Sequence, residues 1–413
     1  MRIKEISVKN LFGMFDHVIP MNMDERITII HGPNGVGKTI LLKMLNSLFN
    51  SEYSFLHTIP FTEFRLDFDE QSYLITSKSI EDKDNKQKSL KFSYHQQGKE
   101  VKNYTDNNSR LRDWSEKDNT VEIHLSMLAA LSVISAKENK AREDYWLLEL
   151  TENIEIGLIE AERLYNYSNV SSRSSSKSMV SSVETYSQEL AEQIQETLTE
   201  YGVLSQSLDR TFPARVINQE FSYNLTEEAL RDKLSKLEEQ RKKLRYLGLL
   251  ERDENPDFQV EREIDDKTKS ILSVYVEDVE KKLKVFSEIS SKIDLFKKIV
   301  ESRFSYKKMS ITKDKGFTFT TLNGNPLSPI NLSSGEQHEL VMLYELLFKV
   351  QPNSLILIDE PEISLHVAWQ VEFLNDLQDI LKLANFDVLI ATHSPDIINE
   401  RWDLTVELKG PNK

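Results

Sequence analysis

The stretch His31-Gly32-Pro33-Asn34-Gly35-Val36-Gly37-Lys38-Thr39 decides the fold. Gly32 to Thr39 fit the pattern GxxxxGK[ST] in full. They stand between the compact apolar run Arg26–Ile30 and the apolar positions Ile40, Leu41, Leu42, Met44 and Leu45. Strand, glycine-rich turn and helix in that order make a phosphate-binding unit. Glycine at 32, 35 and 37 lets the backbone curl until successive N–H groups point inward at phosphate oxygens, and the helix N-terminus adds the positive end of its dipole there. Pro33, Asn34 and Val36 complete the loop. Lys38 is then the side chain that reaches the β- and γ-phosphates, and the Thr39 hydroxyl is a ligand for Mg2+. ATP and Mg2+ are therefore the expected cofactors.

Two segments far along the chain supply what a phosphate loop lacks. Leu355 to Ile358 reads as a buried strand ending in Asp359 and Glu360, then Pro361. A carboxylate at that strand end, Asp359, is placed to hold Mg2+ directly or through water, and Glu360 to orient and deprotonate an attacking water. A second apolar strand, Val388–Ala391, runs into Thr392-His393-Ser394-Pro395, where His393 is placed to reach the γ-phosphate or that water. Upstream, Leu332-Ser333-Ser334-Gly335-Glu336-Gln337 precedes an amphipathic run from Glu339 to Val350. Taken alone, Ser333 with Glu336 three residues later is the signature of a helix capping box.

Between these ends the character changes. Strand-like pieces at Phe64–Phe68, Tyr73–Thr76 and Leu90–Tyr94, with a polar loop at Lys78–Ser89, predict hairpins beside the nucleotide loop. Helical spacing follows at Leu230, Leu234, Leu237, Leu244 and Leu247, and again at Val279, Leu283, Phe286, Ile293, Phe296 and Ile299. The serine-rich stretch Ser168–Ser182 reads as a loop. A continuous helix over Ile271–Phe304 would span on the order of 50 Å, a short arm rather than a long coiled coil. The expected organisation is 1–95 and 306–413 as the two parts of one α/β domain with a mixed sheet, interrupted by a mostly helical insertion, 96–305.

Composition bounds the rest. The 413 residues contain no cysteine, which excludes disulfides, thiol catalysis and thiolate metal sites. No apolar run is long enough to cross a bilayer and Met1–Phe12 lacks a secretion signal, so a cytoplasmic location without membrane association is expected. A net charge of −15 disfavours nucleic-acid binding over the whole surface. The basic runs at Arg241, Lys242, Lys243 and Arg245 and at Lys281, Lys282 and Lys284 lie in Glu-containing helical sequence, where a solvated face is the plainer reading.

Together these segments resemble the ATP-binding-cassette (ABC) heads of the SMC, RecF and OLD-like ATPases. Gly32–Thr39 is similar to the Walker A loop, Leu332–Glu336 to the signature, Leu355–Glu360 to the Walker B strand, Pro361–His366 to the D-loop and His393 to the switch histidine. The resemblance implies that Ser333 and Gly335 of one head close over ATP held by Gly35, Lys38 and Thr39 of another. Ser334 and Glu336 depart from the transporter form of the signature, and no zinc-hook cysteines occur. Gln219, after Phe212–Arg215, is the candidate for the Q-loop glutamine. The segments PEISLH (361–366) and THSP (392–395) particularly resemble ATPases of bacterial phage defence, of the OLD-like, Septu and PARIS types. The stretch after His393 is too short for a C-terminal Toprim nuclease.

Two functions follow from the resemblance. In the first, ATP-gated head dimers, or a higher homo-oligomer, sense infection or restrain an effector protein such as a nuclease. In the second, a DNA-repair or chromosome-associated ATPase binds nucleic acid directly. A transporter subunit or a metabolic kinase leaves the insertion, the signature or His393 unexplained.

Overall fold

Apolar residues at alternate positions, Ile6 and Val8 at one end and Phe64, Leu66 and Phe68 at another, put one face of a strand into a core. The computed structural model describes residues 1–81, 87–107, 145–160, 163–168, 178–218, 226–251 and 264–410. In chain order the elements are β1 (Ile3–Leu11), β2 (Phe15–Pro20), β3 (Ile27–His31), α1 (Lys38–Phe49) and α2 (Tyr53–Thr58). There follow β4 (Glu63–Phe68), β5 (Ser72–Glu81), β6 (Gln87–Gln96), β7 (Lys99–Asn107), α3 (Tyr145–Glu152), β8 (Ile156–Ile159), β9 (Tyr165–Ser168) and β10 (Ser178–Ser181). The long helices are α4 (Ser182–Asn218), α5 (Glu227–Tyr246), α6 (Asp266–Lys284) and α7 (Ser287–Arg303). Then come β11 (Lys307–Thr312), β12 (Gly316–Thr321), β13 (Pro326–Leu327) and α8 (Ser334–Tyr344). The order ends with β14 (Leu355–Asp359), α9 (Val367–Gln370), α10 (Phe373–Ala384), β15 (Asp387–Ala391), α11 (Pro395–Ile398) and β16 (Thr405–Glu407).

These elements form two compact units, Met1–Ala161 with Val350–Lys413, and Glu162–Lys349. The first holds an antiparallel sheet of order β2-β1-β4-β5-β6-β7 and a parallel sheet of order β16-β3-β15-β14-β8. In the parallel sheet β14 and β15 are continuous apolar runs because both faces are covered. Its register sets Ile30 beside Ala391 and Ala391 beside Asp359. The carboxyl ends of β3, β15 and β14 therefore lie side by side, which is where open parallel sheets place ligands. One core joins both sheets through α1: Ile6, Leu66 and Phe92 share it with Leu41, Leu45 and Leu48 and with Leu357 and Leu389. Each of those α1 leucines is fully buried and stabilises the unit by roughly 1.5–3 kcal/mol. The architecture is thus the expected α/β P-loop fold interrupted by a mostly helical insertion.

Two local expectations are corrected. Of the polar loop expected at Lys78–Ser89, the described residues 78–81 and 87–89 are strand: β5 and β6 pair from Ser72↔Gln96 to Glu81↔Gln87. Cross-strand hydrogen bonding carries polar residues that have no apolar pattern to announce them. Beside its helices, the stretch 96–305 also contains β7 and β8, whose residues Ile156–Ile159 pair with Leu355–Ile358 in the parallel sheet. The continuous helix expected over Ile271–Phe304 is two helices, α6 and α7, parted at Val285–Phe286. The break lets Phe286 turn into the core, fully buried against the Tyr201 ring.

The second unit packs the long α4 against β12 and against α6 and α8. Gly316 shows how close that packing is: with φ of +62°, a Cβ there would stand 1.7 Å from the Ser187 carbonyl oxygen of α4. Its aromatic core stacks Tyr186 on Tyr344 and Tyr344 on Phe348, with Phe296 and Phe317 edge to face. A charged pair is also buried here, Arg303 of α7 with Glu339 of α8, their side chains 6% and 0% exposed. The basic runs have partners: Arg241 pairs with Glu238, Lys243 with Asp294, Lys281 with Glu277 and Lys282 with Asp209. Gln219 lies outside the described residues. No described helix is long and apolar enough to cross a membrane.

Candidate active site

The loop after β3 does what its glycines permit. Gly32 has φ of +152°, and a Cβ on it would stand 2.3 Å from the Leu408 carbonyl oxygen, so only glycine fits. Gly37, at φ +99°, opens α1 as its N-cap, and a Cβ there would press on Leu11 at 2.7 Å. Pro33, Asn34 and Gly35 stand exposed at the apex, while Val36 is buried. The Val36 carbonyl accepts from His17 Nε2 at 2.8 Å, a buried support that no local pattern signals.

Lys38 is 5% exposed, and its ammonium donates to the carbonyls of Gly32 at 3.0 Å and Pro33 at 3.4 Å and to His393 Nδ1 at 3.3 Å. Burial lowers its pKa, opposed by the negative charges of Glu360, Glu362 and Asp359. The adjacent Thr39 hydroxyl donates to Asp359 Oδ1 at 3.1 Å. Asp359 ends β14, and its pKa is raised chiefly by burial and also by the neighbouring Glu360, against the lowering effect of the Thr39 hydrogen bond. A half-buried carboxylate touching a hydroxyl is a donor set that suits Mg2+, which takes few protein ligands and keeps water and phosphate oxygens around it. Thr39 and Asp359 thus fit that ion.

Glu360 adopts left-handed backbone angles, φ 46° and ψ 58°, while its N–H still bonds to the Ala391 carbonyl at 2.8 Å. That conformation costs a non-glycine residue roughly 1–3 kcal/mol. It turns the carboxylate toward His393, whose Nε2 lies 3.4 Å from Glu360 Oε1. The structure thus brings Gly32–Thr39, Asp359, Glu360 and His393 together in one unit.

Ser333 and Gly335 belong to the other compact unit. There the capping box is present: Glu336 Oε2 accepts from Ser333 N at 2.9 Å and from Ser333 Oγ at 2.8 Å. Lys307 completes the arrangement by pairing with Glu336 Oε1. Burial pushes the Glu336 carboxyl up, yet the bonds from Lys307 and Ser333 outweigh it and its pKa falls below the ordinary value.

Two further site residues were not read from the sequence. Glu362 Oε1 accepts the backbone N–H of His393 at 2.6 Å and of Ser394 at 3.2 Å. Gln370 Oε1 accepts from Ser394 Oγ at 2.8 Å, and its amide nitrogen donates to the carbonyls of Glu362 and Leu365, both at 3.2 Å. The PEISLH and THSP patterns contained Glu362 and Ser394, but nothing local links them.

A phosphate loop at the carboxyl edge of a parallel sheet, with two strand-end carboxylates and a histidine converging on its lysine, defines a P-loop ATPase domain. Sequence comparison agrees: the family described as AAA ATPase domain matches residues 1–398, and the chain belongs to that family. Nucleotide binding and ATP hydrolysis are the general activity of such a domain. Among curated proteins, the chain is similar to protein ea59 of Escherichia phage lambda, 34% identical over 108 residues, which is 26% of this chain. The match spans 20% of the length of that relative. Among solved structures it is similar to an Smc head domain bound to the C-terminal domain of ScpA from Pyrococcus furiosus, with 12% identity, coverage of 99% of this chain and 94% of the other, and a TM-score of 0.37. The SMC head domain from Thermotoga maritima gives 12% identity, coverage of 96% and 91%, and a TM-score of 0.31.

Proposed function

We propose that the chain is a Mg2+-dependent ATPase whose hydrolytic site is completed by a second copy. The observation that carries this reading is the convergence of Lys38, Thr39, Asp359, Glu360 and His393, linked by contacts of 3.1 to 3.4 Å. Backbone N–H groups of Gly32–Gly37 receive the phosphates, and Lys38 exchanges its loop carbonyls for phosphate oxygens. Thr39 and Asp359 would hold Mg2+, which when bound supplies charge neutralisation at the β- and γ-phosphates. Glu360 takes the proton of the attacking water, and His393 helps to orient that water.

Self-association draws support from exposed surface. Ser333 is exposed at its helix start, and Ile363, Val367 and Val371 are 66%, 64% and 38% exposed in the segment just after Glu360. Exposed apolar side chains close in sequence to a polar site suit a surface that a second copy covers. Ser333 and Gly335 of that copy then act on the γ-phosphate.

Of the two outputs, we put forward the DNA-repair or chromosome-associated one. The motif order resembles heads of that class. The defence reading leans on PEISLH and THSP, and both segments have a local reason to exist, since Glu362 of the first holds the N–H groups of His393 and Ser394 of the second. A shared hydrolytic scaffold accounts for them without an effector. The Arg241 and Lys281 runs, largely neutralised within their own unit, are not the contact surface.

The experiment is Glu360→Gln with and without Mg-ATP. Hydrolysis is expected to fall about 10²- to 10⁴-fold while a nucleotide-dependent dimer accumulates in light scattering. A chain that stays monomeric with Mg-ATP refutes the composite site. ATP-dependent DNA affinity at physiological salt supports the chosen output, whereas activity that requires a second protein and no DNA favours the effector reading.

A further inference from the structure

His393 needs a fixed position, and its own ring contacts do not supply one. The ring meets Lys38 at 3.3 Å and Glu360 at 3.4 Å, both long, and both partners are committed to phosphate and water once ATP binds. The backbone beneath it is held far more tightly. Glu362, in the turn Pro361–Ile363, grips the N–H of His393 at 2.6 Å and of Ser394 at 3.2 Å with one oxygen. Bonds to an ionised acceptor are short and strong. Gln370, 8% exposed, fixes both ends of the arrangement, accepting from Ser394 Oγ and donating to the Glu362 carbonyl. The second carboxylate oxygen of Glu362 is buried with no hydrogen-bond partner among the described residues. Its negative charge is also felt at Lys38.

We infer that Glu362 is the positioning residue of the active site, a brace which, with Gln370, sets where the His393 ring stands relative to Glu360. A base or water-orienting group held in turn by a third residue is a recurring catalytic arrangement. Here the third residue acts on the main chain rather than on the ring. It lies two positions after the carboxylate proposed to activate water, so one turn carries both the base and the support of its partner. The inference rests on the hydrolytic reading for its effect on turnover, but the brace itself can be tested without ATP.

The test uses the full chain with Glu362→Ala, Glu362→Gln and Glu362→Asp. Glutamine leaves an oxygen where the two N–H groups need it. Alanine removes the acceptor, and aspartate keeps the charge but withdraws the oxygen by one methylene. In nucleotide-free protein, hydrogen exchange at the His393 and Ser394 amides is expected to quicken in the alanine and aspartate variants and to stay near wild type in the glutamine variant. In turnover, kcat is expected to fall about 10- to 100-fold in the first two, with KM and ATP affinity within about twofold of wild type, as for a displaced group rather than a lost binding contact. Glutamine is expected to restore most of kcat. If alanine destabilises the chain, the aspartate variant gives the same reading. Unchanged exchange at both amides in the aspartate variant overturns the brace, as does kcat within about twofold of wild type. A wild-type protein without ATPase activity would instead overturn the hydrolytic reading and leave the exchange result to decide the brace.

Discussion

Replacing Arg303 with methionine should destabilise the unit 162–349 far more than replacing both members of its buried pair. Arg303 and Glu339 are 6% and 0% exposed, so neither charge has water to fall back on. Removing one partner leaves the other as an uncompensated buried charge, at a cost of about 3–5 kcal/mol. In urea, with a slope near 2 kcal/mol per molar, the midpoint should fall by about 1.5–2.5 M. Arg303→Met combined with Glu339→Leu should recover most of that loss, because apolar side chains of similar volume commonly match or exceed a buried ion pair. The assay has a built-in control. All four tryptophans lie outside 162–349, so their fluorescence reports the first unit, while circular dichroism at 222 nm is weighted toward the long helices of the second. A shift below about 0.5 M in the single variant would refute the reasoning, as would a double variant no more stable than the single.

Other outcomes follow from the nucleotide site. Lys38→Ala should weaken ATP binding about 10- to 100-fold in a titration, through loss of a charge-assisted phosphate contact. Ser333→Arg should leave that first binding within about twofold and abolish closure, so normal hydrolysis by this variant would sink the composite site. Asp359→Asn should raise or preserve the melting temperature at neutral pH without nucleotide, while losing the stabilisation that Mg-ATP gives the wild type. The sign comes from burial: the folded-state pKa of Asp359 is raised, so its favourable contribution is complete below the ordinary value of 3.8 and is lost as pH rises through the folded value. The advantage of asparagine should therefore vanish in acid, and a variant less stable than wild type at pH 7 without ligand would contradict it.

What the sequence displayed was whatever chemistry had to be contiguous. Gly32–Thr39 must curl within one turn, Leu355–Asp359 and Val388–Ala391 must be apolar because both faces of their sheet are covered, and Ser333 with Glu336 must cap a single helix start. What it concealed depends on distant partners. Ile156–Ile159 is only four residues long, and its strand character comes from pairing with Leu355–Ile358. Glu362 lay within the PEISLH segment, but its hold on His393 and Ser394 depends on a loop some thirty residues further on. The basic runs were legible as a solvated face from their helical, Glu-containing sequence, but Asp209 and Asp294, which pair with Lys282 and Lys243, lie far away in sequence.

The strand order of the parallel sheet also sets a timetable for biosynthesis. β3, which launches the phosphate loop, is flanked by β15 on one side and β16 on the other, both encoded about 360 residues or more downstream. At ribosomal rates of about 5–20 residues per second, Ile27–His31 waits roughly 20 to 70 s with neither neighbour made. Throughout that interval a strand with three isoleucines in five residues has neither of its sheet neighbours to pair with. The region 162–349, continuous in sequence, emerges in the meantime. The site that binds the nucleotide is consequently among the last parts of this protein to exist.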